Sequence, residues 1–184
     1  MRDLVERAAR GEDAAFAALV RAVSDRLFAI AYRVLRDQYL AEDALQQTLV
    51  TIWDQLPRLR DPDRFDAWTY RLIVRACVAE ARRERKGGPR ISLLPGDEDA
   101  SPAPDQFRGV VDRDQLERGF RRLTPEQRAV LVLQHYAELS LAEIADTLGI
   151  PEGTAASRVH YASRALRAAL EADDRSIASQ ERTA

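Results

Sequence analysis

Cysteine, lysine and long apolar runs are what this chain goes almost without. Cys77 stands alone among 184 residues, so neither a disulfide framework nor a cysteine zinc site can form within the chain, and a reducing cytoplasm is the expected compartment. No stretch approaches the roughly 20 apolar residues that span a bilayer, and residues 1–10 are charged throughout, so a soluble protein without membrane insertion is expected. Alternating β-rich runs are missing, and the eight glycines and eight prolines gather in a few places. The expected fold class is therefore all-α. Gly-rich phosphate loops, His-Glu-x-x-His runs and nucleophile elbows are also missing. His135 and His160 have no carboxylate or thiol at ligand spacing, which argues against a metal site. Neither enzyme activity nor a cofactor is expected.

Lys+Arg 28 against Asp+Glu 30 gives a net charge of −2, which argues against non-specific coating of nucleic acid and leaves only local contact. Lys86 is the only lysine, so nearly every cation is an arginine, a side chain suited to bidentate contact with phosphate or guanine.

The most informative stretch runs from 140 to 166. Ser140 and Glu143 form a Ser-x-x-Glu capping box that opens a helix. Leu141, Ile144, Ala145 and Leu148 give it one apolar face, and Gly149 follows where a left-handed stop needs no Cβ. Ile150 plugs the turn and Pro151 stands in the first turn of the next helix. There Ala155, Val159, Ala162, Leu166 and Leu170 make the inward stripe, while Thr154, Ser157, Arg158, Tyr161 and Arg164 face out, with His160 on the same surface. A helix of this kind enters a major groove. Ordinary helical hairpins share the pattern, and the turn chemistry favours DNA.

From the start of the chain, Leu4, Val5 and Ala8 mark a first helix broken at Gly11. Asp13 is expected to cap a second helix carrying Phe16, Leu19, Val20 and Val23, and Ser24 a third carrying Leu27, Ile30, Ala31, Val34 and Leu35. A fourth, from about 41 to 56, buries Leu45, Leu49, Ile52 and Leu56 and leaves Asp43, Gln46, Gln47, Val50 and Asp54 on its free face. Residues 57–63 read as an irregular loop. A long helix from 65 to about 85 is expected to carry Trp68, Leu72, Ile73, Ala76 and Ala79 on one side. Arg71, Arg75, Arg82 and Lys86 lie on another, in a line about 20 Å long. Such a stripe suits a solvated face as well as a nucleic-acid track, and context decides.

Residues 87–112 read as a flexible linker rich in Gly and Pro, with Asp97, Glu98, Asp99, Asp105 and Asp112 outnumbering Lys86, Arg90 and Arg108. The linker divides an N-terminal helical unit, 1–86, from a C-terminal one, 113–172, and a disordered tail is expected over 173–184. Thr124, Pro125 and Gln127 form a second capping box, opening a helix with Val130, Leu131 and Leu133.

Two separated signatures resemble a known family. Ala41-Glu42-Asp43-Ala44-Leu45-Gln46-Gln47 with Trp53, and Phe65-Asp66-Ala67-Trp68, form the first. Leu123-Thr124-Pro125-Glu126-Gln127-Arg128, Ala142-Glu143-Ile144-Ala145, Leu148-Gly149-Ile150-Pro151-Glu152-Gly153-Thr154 and Ser157-Arg158 form the second. Together they resemble bacterial RNA polymerase sigma factors of the extracytoplasmic-function (ECF) group. The resemblance implies two DNA-reading helical domains whose partners are core RNA polymerase, promoter DNA and an anti-sigma factor. Asp43, Gln46, Gln47, Val50 and Asp54 would meet the polymerase. Arg58, Arg60, Arg64, Trp68, Arg71, Arg75, Arg82 and Arg83 would receive a melted minus-ten strand, by base capture and a cationic track. Thr154, Ser157, Arg158, His160, Tyr161 and Arg164 would read the minus-thirty-five element. The linker would thread the polymerase cleft, although composition alone fits a solubilising tether equally well. Arg75 and Ala79 stand where the family usually has Asn and Asp, so an unusual minus-ten preference is expected. Ala156 and Tyr161 replace frequent basic residues, which implies an altered upstream contact. A stand-alone helix-turn-helix regulator would account for the C-terminal half only.

Overall fold

The computed structural model describes the backbone of residues 1–87 and 113–181, and the side chains of 1–85 and 115–172. The linker expectation over 88–112, with its acidic run, lies outside the described residues. Eight helices carry the described chain: α1 (Arg2–Ala9), α2 (Asp13–Leu35), α3 (Gln38–Gln55), α4 (Phe65–Gly87), α5 (Arg113–Arg121), α6 (Pro125–His135), α7 (Leu141–Leu148) and α8 (Glu152–Glu181). No strand occurs among the described residues, in keeping with the all-α expectation.

Helices α2, α3 and α4 pack on one another, and α1 lies along α2. The break expected at Ser24 does not occur. The Ser24 hydroxyl donates to the Val20 carbonyl at 2.7 Å, a mid-helix bond one turn back that leaves α2 continuous over 23 residues. Asp13 is the first helical residue rather than the cap, where its charge still suits the positive end of the helix dipole. Helix α3 starts earlier than expected because the Asp37 carboxylate accepts the Leu40 N–H at 2.9 Å. Its buried line is Ala41, Ala44, Thr48 and Ile52, with Leu45 and Leu49 only half buried. Thr48 is tolerated in this line because its hydroxyl donates to the Ala44 carbonyl.

The stretch expected to be irregular holds two single turns of 3-10 helix, Leu56–Arg58 and Pro62–Arg64. Proline sits in the first turn of each, where a missing N–H costs nothing. In α4 the fully buried line is Phe65, Thr69, Ile73, Cys77 and Ala81, at spacings of four. Ala79, expected inside, is exposed, and Trp68, Leu72 and Ala76 are half buried. Apolar periodicity misjudges this helix because a threonine and a cysteine lie on the inner line. The Thr69 hydroxyl is satisfied by the Asp66 carbonyl at 2.9 Å.

Burial also fixes the chemistry of Cys77, whose thiol is fully enclosed and pushed up to about 12 by loss of solvation. A protonated, enclosed thiol is inert. The native protein is expected to leave a thiol-specific reagent unconsumed at neutral pH and to take up one equivalent on unfolding in denaturant. Rapid labelling of the folded chain would contradict this burial.

In the C-terminal part α8 is the spine, with α5, α6 and α7 packed against it. Gly119 permits the close approach of α5, since a Cβ there would meet Leu170 Cδ2 at 2.8 Å. Both capping boxes form as the sequence indicates, at Thr124 with Gln127 and at Ser140 with Glu143. The tail expected to be disordered from Asp173 is helical through Glu181. No Gly or Pro interrupts it, and an established helix extends at little cost once nucleated.

The two parts meet. Helix α6 packs against α2 and α4, and α7 against α4, so the buried apolar residues form one contiguous cluster from Val5 to Ala162.

Candidate nucleic-acid interface

Helix α7 ends in a Schellman arrangement. Gly149 is left-handed at φ 66°, the Ile150 N–H bonds the Ala145 carbonyl at 3.0 Å, and the Gly149 N–H bonds the Asp146 carbonyl at 3.2 Å. This turn fixes the angle at which α8 leaves. With Ala155, Val159 and Ala162 buried, Ser157, Arg158, His160, Tyr161 and Arg164 are exposed and Thr154 is half buried. The Ser157 hydroxyl donates to the Gly153 carbonyl at 2.8 Å, leaving its lone pairs outward. Tyr161, 64% exposed, stands edge-on to the His160 ring at 5.8 Å. The outward set of α8 is thus one surface.

The cations of the first half divide into two groups. Arg58, Arg60 and Arg75 are exposed. Arg64 pairs with the Asp146 carboxylate. Arg71 Nε donates to the Thr147 carbonyl at 2.7 Å, and its guanidinium also bonds the Asp146 carbonyl and lies 3.8 Å from the Asp146 carboxylate. Arg82 lies 4.0 Å from Glu126. The C-terminal end of α7, the negative pole of its dipole, carries an aspartate as well and suits arginine. Arg83 instead grips the buried Glu80 through both carboxylate oxygens, at 2.8 and 3.1 Å, a structural duty that its sequence position does not reveal. Trp68 is half buried, its ring 6.0 Å from that of Phe65.

Arg75 and Arg82, expected at one promoter element, line the same cleft as Arg158 and Tyr161, expected at the other. The cleft is about 600 Å³, floored by Val74, Val78, Val130 and Leu148. Asp146 and Glu126, which occupy the arginines, were missed from the sequence. One local signal existed: Asp146 lies in the last turn of α7, the wrong end of the helix dipole for an acid.

On α3, Asp43, Gln46, Gln47, Val50 and Asp54 are all exposed. Trp53, also missed as a site residue, is 54% exposed beside Val50 at 62%. Its ring is held edge-on by Phe16 at 4.6 Å. An apolar pair ringed by carboxamides and acids has the composition of a protein-docking surface.

Comparison with known proteins matches these two regions separately. Residues 19–87 match the Sigma-70 region 2 family and residues 119–168 the Sigma-70 region 4 family. SigL of Mycobacterium tuberculosis, an ECF RNA polymerase sigma factor, is 36% identical over 169 residues, covering 88% of this chain and 94% of SigL. The chain belongs to the ECF sigma factors.

As a sigma factor it binds core RNA polymerase and directs promoter-specific initiation of transcription. The RNA polymerase sigma-E factor of Streptomyces avermitilis is 32% identical over 174 residues, 95% of each chain. Two solved structures share the fold. CnrH in complex with the cytosolic domain of CnrY has a TM-score of 0.63 at 26% identity, covering 94% of this chain and 97% of that one. The sigma factor RpoE of Bartonella quintana, solved with the anti-sigma factor NepR, has a TM-score of 0.64 at 24% identity, covering 86% and 98%. No helix of the described sigma factor is long and apolar enough to cross a membrane.

Proposed function

We propose a division of labour within the sigma factor. The N-terminal unit, 1–86, holds core polymerase on the free face of α3, through Asp43, Gln46, Gln47, Val50 and Asp54, joined by Trp53. It receives the melted minus-ten strand along Arg58, Arg60, Arg64, Trp68, Arg71, Arg75, Arg82 and Arg83. The C-terminal unit, 113–172, reads the minus-thirty-five element with Thr154, Ser157, Arg158, His160, Tyr161 and Arg164. The chain itself catalyses no step; it works by binding, in the cytoplasm with the polymerase. An anti-sigma factor is its expected protein regulator, in line with the complex of RpoE with the anti-sigma factor NepR from Bartonella quintana.

The observation that carries this reading is the single outward surface of α8, opposite the buried stripe Ala155, Val159 and Ala162. Arg158 near its start has the reach and the planar fork to engage a guanine edge. Arg158→Ala is expected to cost about 1–3 kcal/mol of promoter binding by the holoenzyme, concentrated on one base position of the upstream element. The check is binding across single-base promoter variants. A loss uniform over all variants makes Arg158 a phosphate contact, and no loss removes it from the interface.

A further inference from the structure

A second, smaller cleft lies where the two parts meet, about 300 Å³ in volume and with no residue of α8 in its lining. Its walls come from both: Leu35, Leu40, Ala81 and Arg85 on one side, Arg121, Arg122, Thr124 and Arg128 on the other. Four of its lining residues are arginines and one, Glu84, is an acid. Such a concentration of like charge in a confined space is costly without a counterion.

For Arg128 no such counterion is supplied among the described residues. Arg128 is only 7% exposed, and its Nε is buried with no hydrogen-bond partner. The acceptor that meets it is a neutral one, the Phe120 carbonyl at 3.4 Å, and no carboxylate lies within ion-pair distance among the described residues. Burial, then Arg36 and Arg85, lower its pKa to about 10, with Glu126 opposing. Arg36, one of the two cations acting on Arg128, is itself paired with Glu117. Arg122 is engaged, its Nη1 donating to the Ala169 carbonyl at 3.2 Å. Arg85 and Arg121 are exposed, and neither side chain has a hydrogen bond or ion pair among the described residues.

We propose that this cleft binds a small phosphate-bearing anion, of the diphosphate class, held between the end of α4 and the start of α6. Guanidinium forks match phosphate oxygens in pairs, and a compact polyanion meets several at once. The volume admits a diphosphate and is closed to a duplex, so the site differs in kind from the promoter-reading surfaces. Because Arg85 belongs to α4 and Arg121 and Arg128 to α5 and α6, the bound anion staples the two parts together. The site requires nothing of the division of labour proposed above, and its test uses the free chain without polymerase or DNA.

The test is calorimetric titration of the full-length protein with inorganic pyrophosphate, against sodium chloride at matched ionic strength. Saturable binding of one equivalent is expected, weakened about tenfold or more in the Arg85→Ala, Arg121→Ala double variant. Both side chains are exposed, so the variant keeps the fold; circular dichroism verifies it. Arg128→Ala risks the packing of α6, and Arg128→Lys serves instead, keeping the charge while losing the fork, with a smaller loss expected. Titration with adenosine diphosphate separates sources: equal affinity means the cleft reads the phosphates alone, and tighter binding extends the site over a nucleoside. Absence of saturable pyrophosphate binding, or binding indifferent to Arg85 and Arg121, overturns the proposal.

Discussion

Asp146→Lys is expected to open the free sigma factor and to release the surface proposed for the minus-ten strand. The substitution removes the carboxylate that pairs with Arg64 and lies beside Arg71 and sets a like charge there. Exposed pairs contribute roughly 0.2–1 kcal/mol each, and reversal replaces two attractions by repulsions of similar size, about tenfold in an equilibrium constant. The variant free of polymerase should bind a single-stranded minus-ten oligonucleotide about tenfold more tightly than the parent at low salt, with the gain shrinking as salt screens the charges. Fluorescence anisotropy gives the affinity. Energy transfer between labels on α3 and α8 gives the separation of the two parts. Unchanged separation would mean that Asp146 does not hold them together. Greater separation without tighter binding would mean that Arg64 and Arg71 do not serve the strand.

The second large effect is expected at the polymerase. Val50 and Trp53 are apolar, largely exposed and adjacent on α3, in a face otherwise polar, the anatomy of an anchor with a polar rim. Val50→Asp places a charge on a side chain that is 62% exposed. It should weaken core polymerase binding by about 2 kcal/mol, the scale of an interface hot spot, or about thirtyfold. Asp43→Arg with Gln47→Glu should act in the same direction. Core affinity is read by titrating labelled sigma factor with core enzyme. Parental affinity in both variants, with melting temperature preserved, would move the docking surface off α3.

What the sequence made legible is local. Two capping boxes, the left-handed Gly149 and the inward stripe of α8 depend on neighbours within a turn, and the free face of α3 depends only on period. Ser24 misled because the same hydroxyl that caps a helix start can bond one turn back inside a helix, and spacing does not distinguish the two. The inner line of α4 was hidden because it runs through Thr69 and Cys77, whereas the stripe expected from apolar spacing ran through Trp68, Leu72, Ala76 and Ala79. The engagement of Arg64 and Arg71 by Asp146 and its neighbour spans 75 to 82 residues of sequence. Nothing in a local pattern specifies so distant a pairing. Arg128 carries a related lesson: it lies in a well-marked amphipathic helix, and only the packing of α6 on α2 and α4 turns it inward.

The seam between the two parts is made of two materials, and they answer to different conditions. Its rim is ionic, at Arg64, Arg71 and Arg82; its interior is the apolar cluster that runs unbroken from one part into the other. Chloride weakens the rim by screening, while strongly excluded salts such as sulfate tighten the interior. Parting the seam wets apolar surface and so raises the heat capacity of the molecule. Apolar burial also loses strength on cooling. Cold thus loosens the interior that chloride leaves in place, and temperature and ionic strength become separate controls on how readily the two surfaces proposed to read the promoter come free.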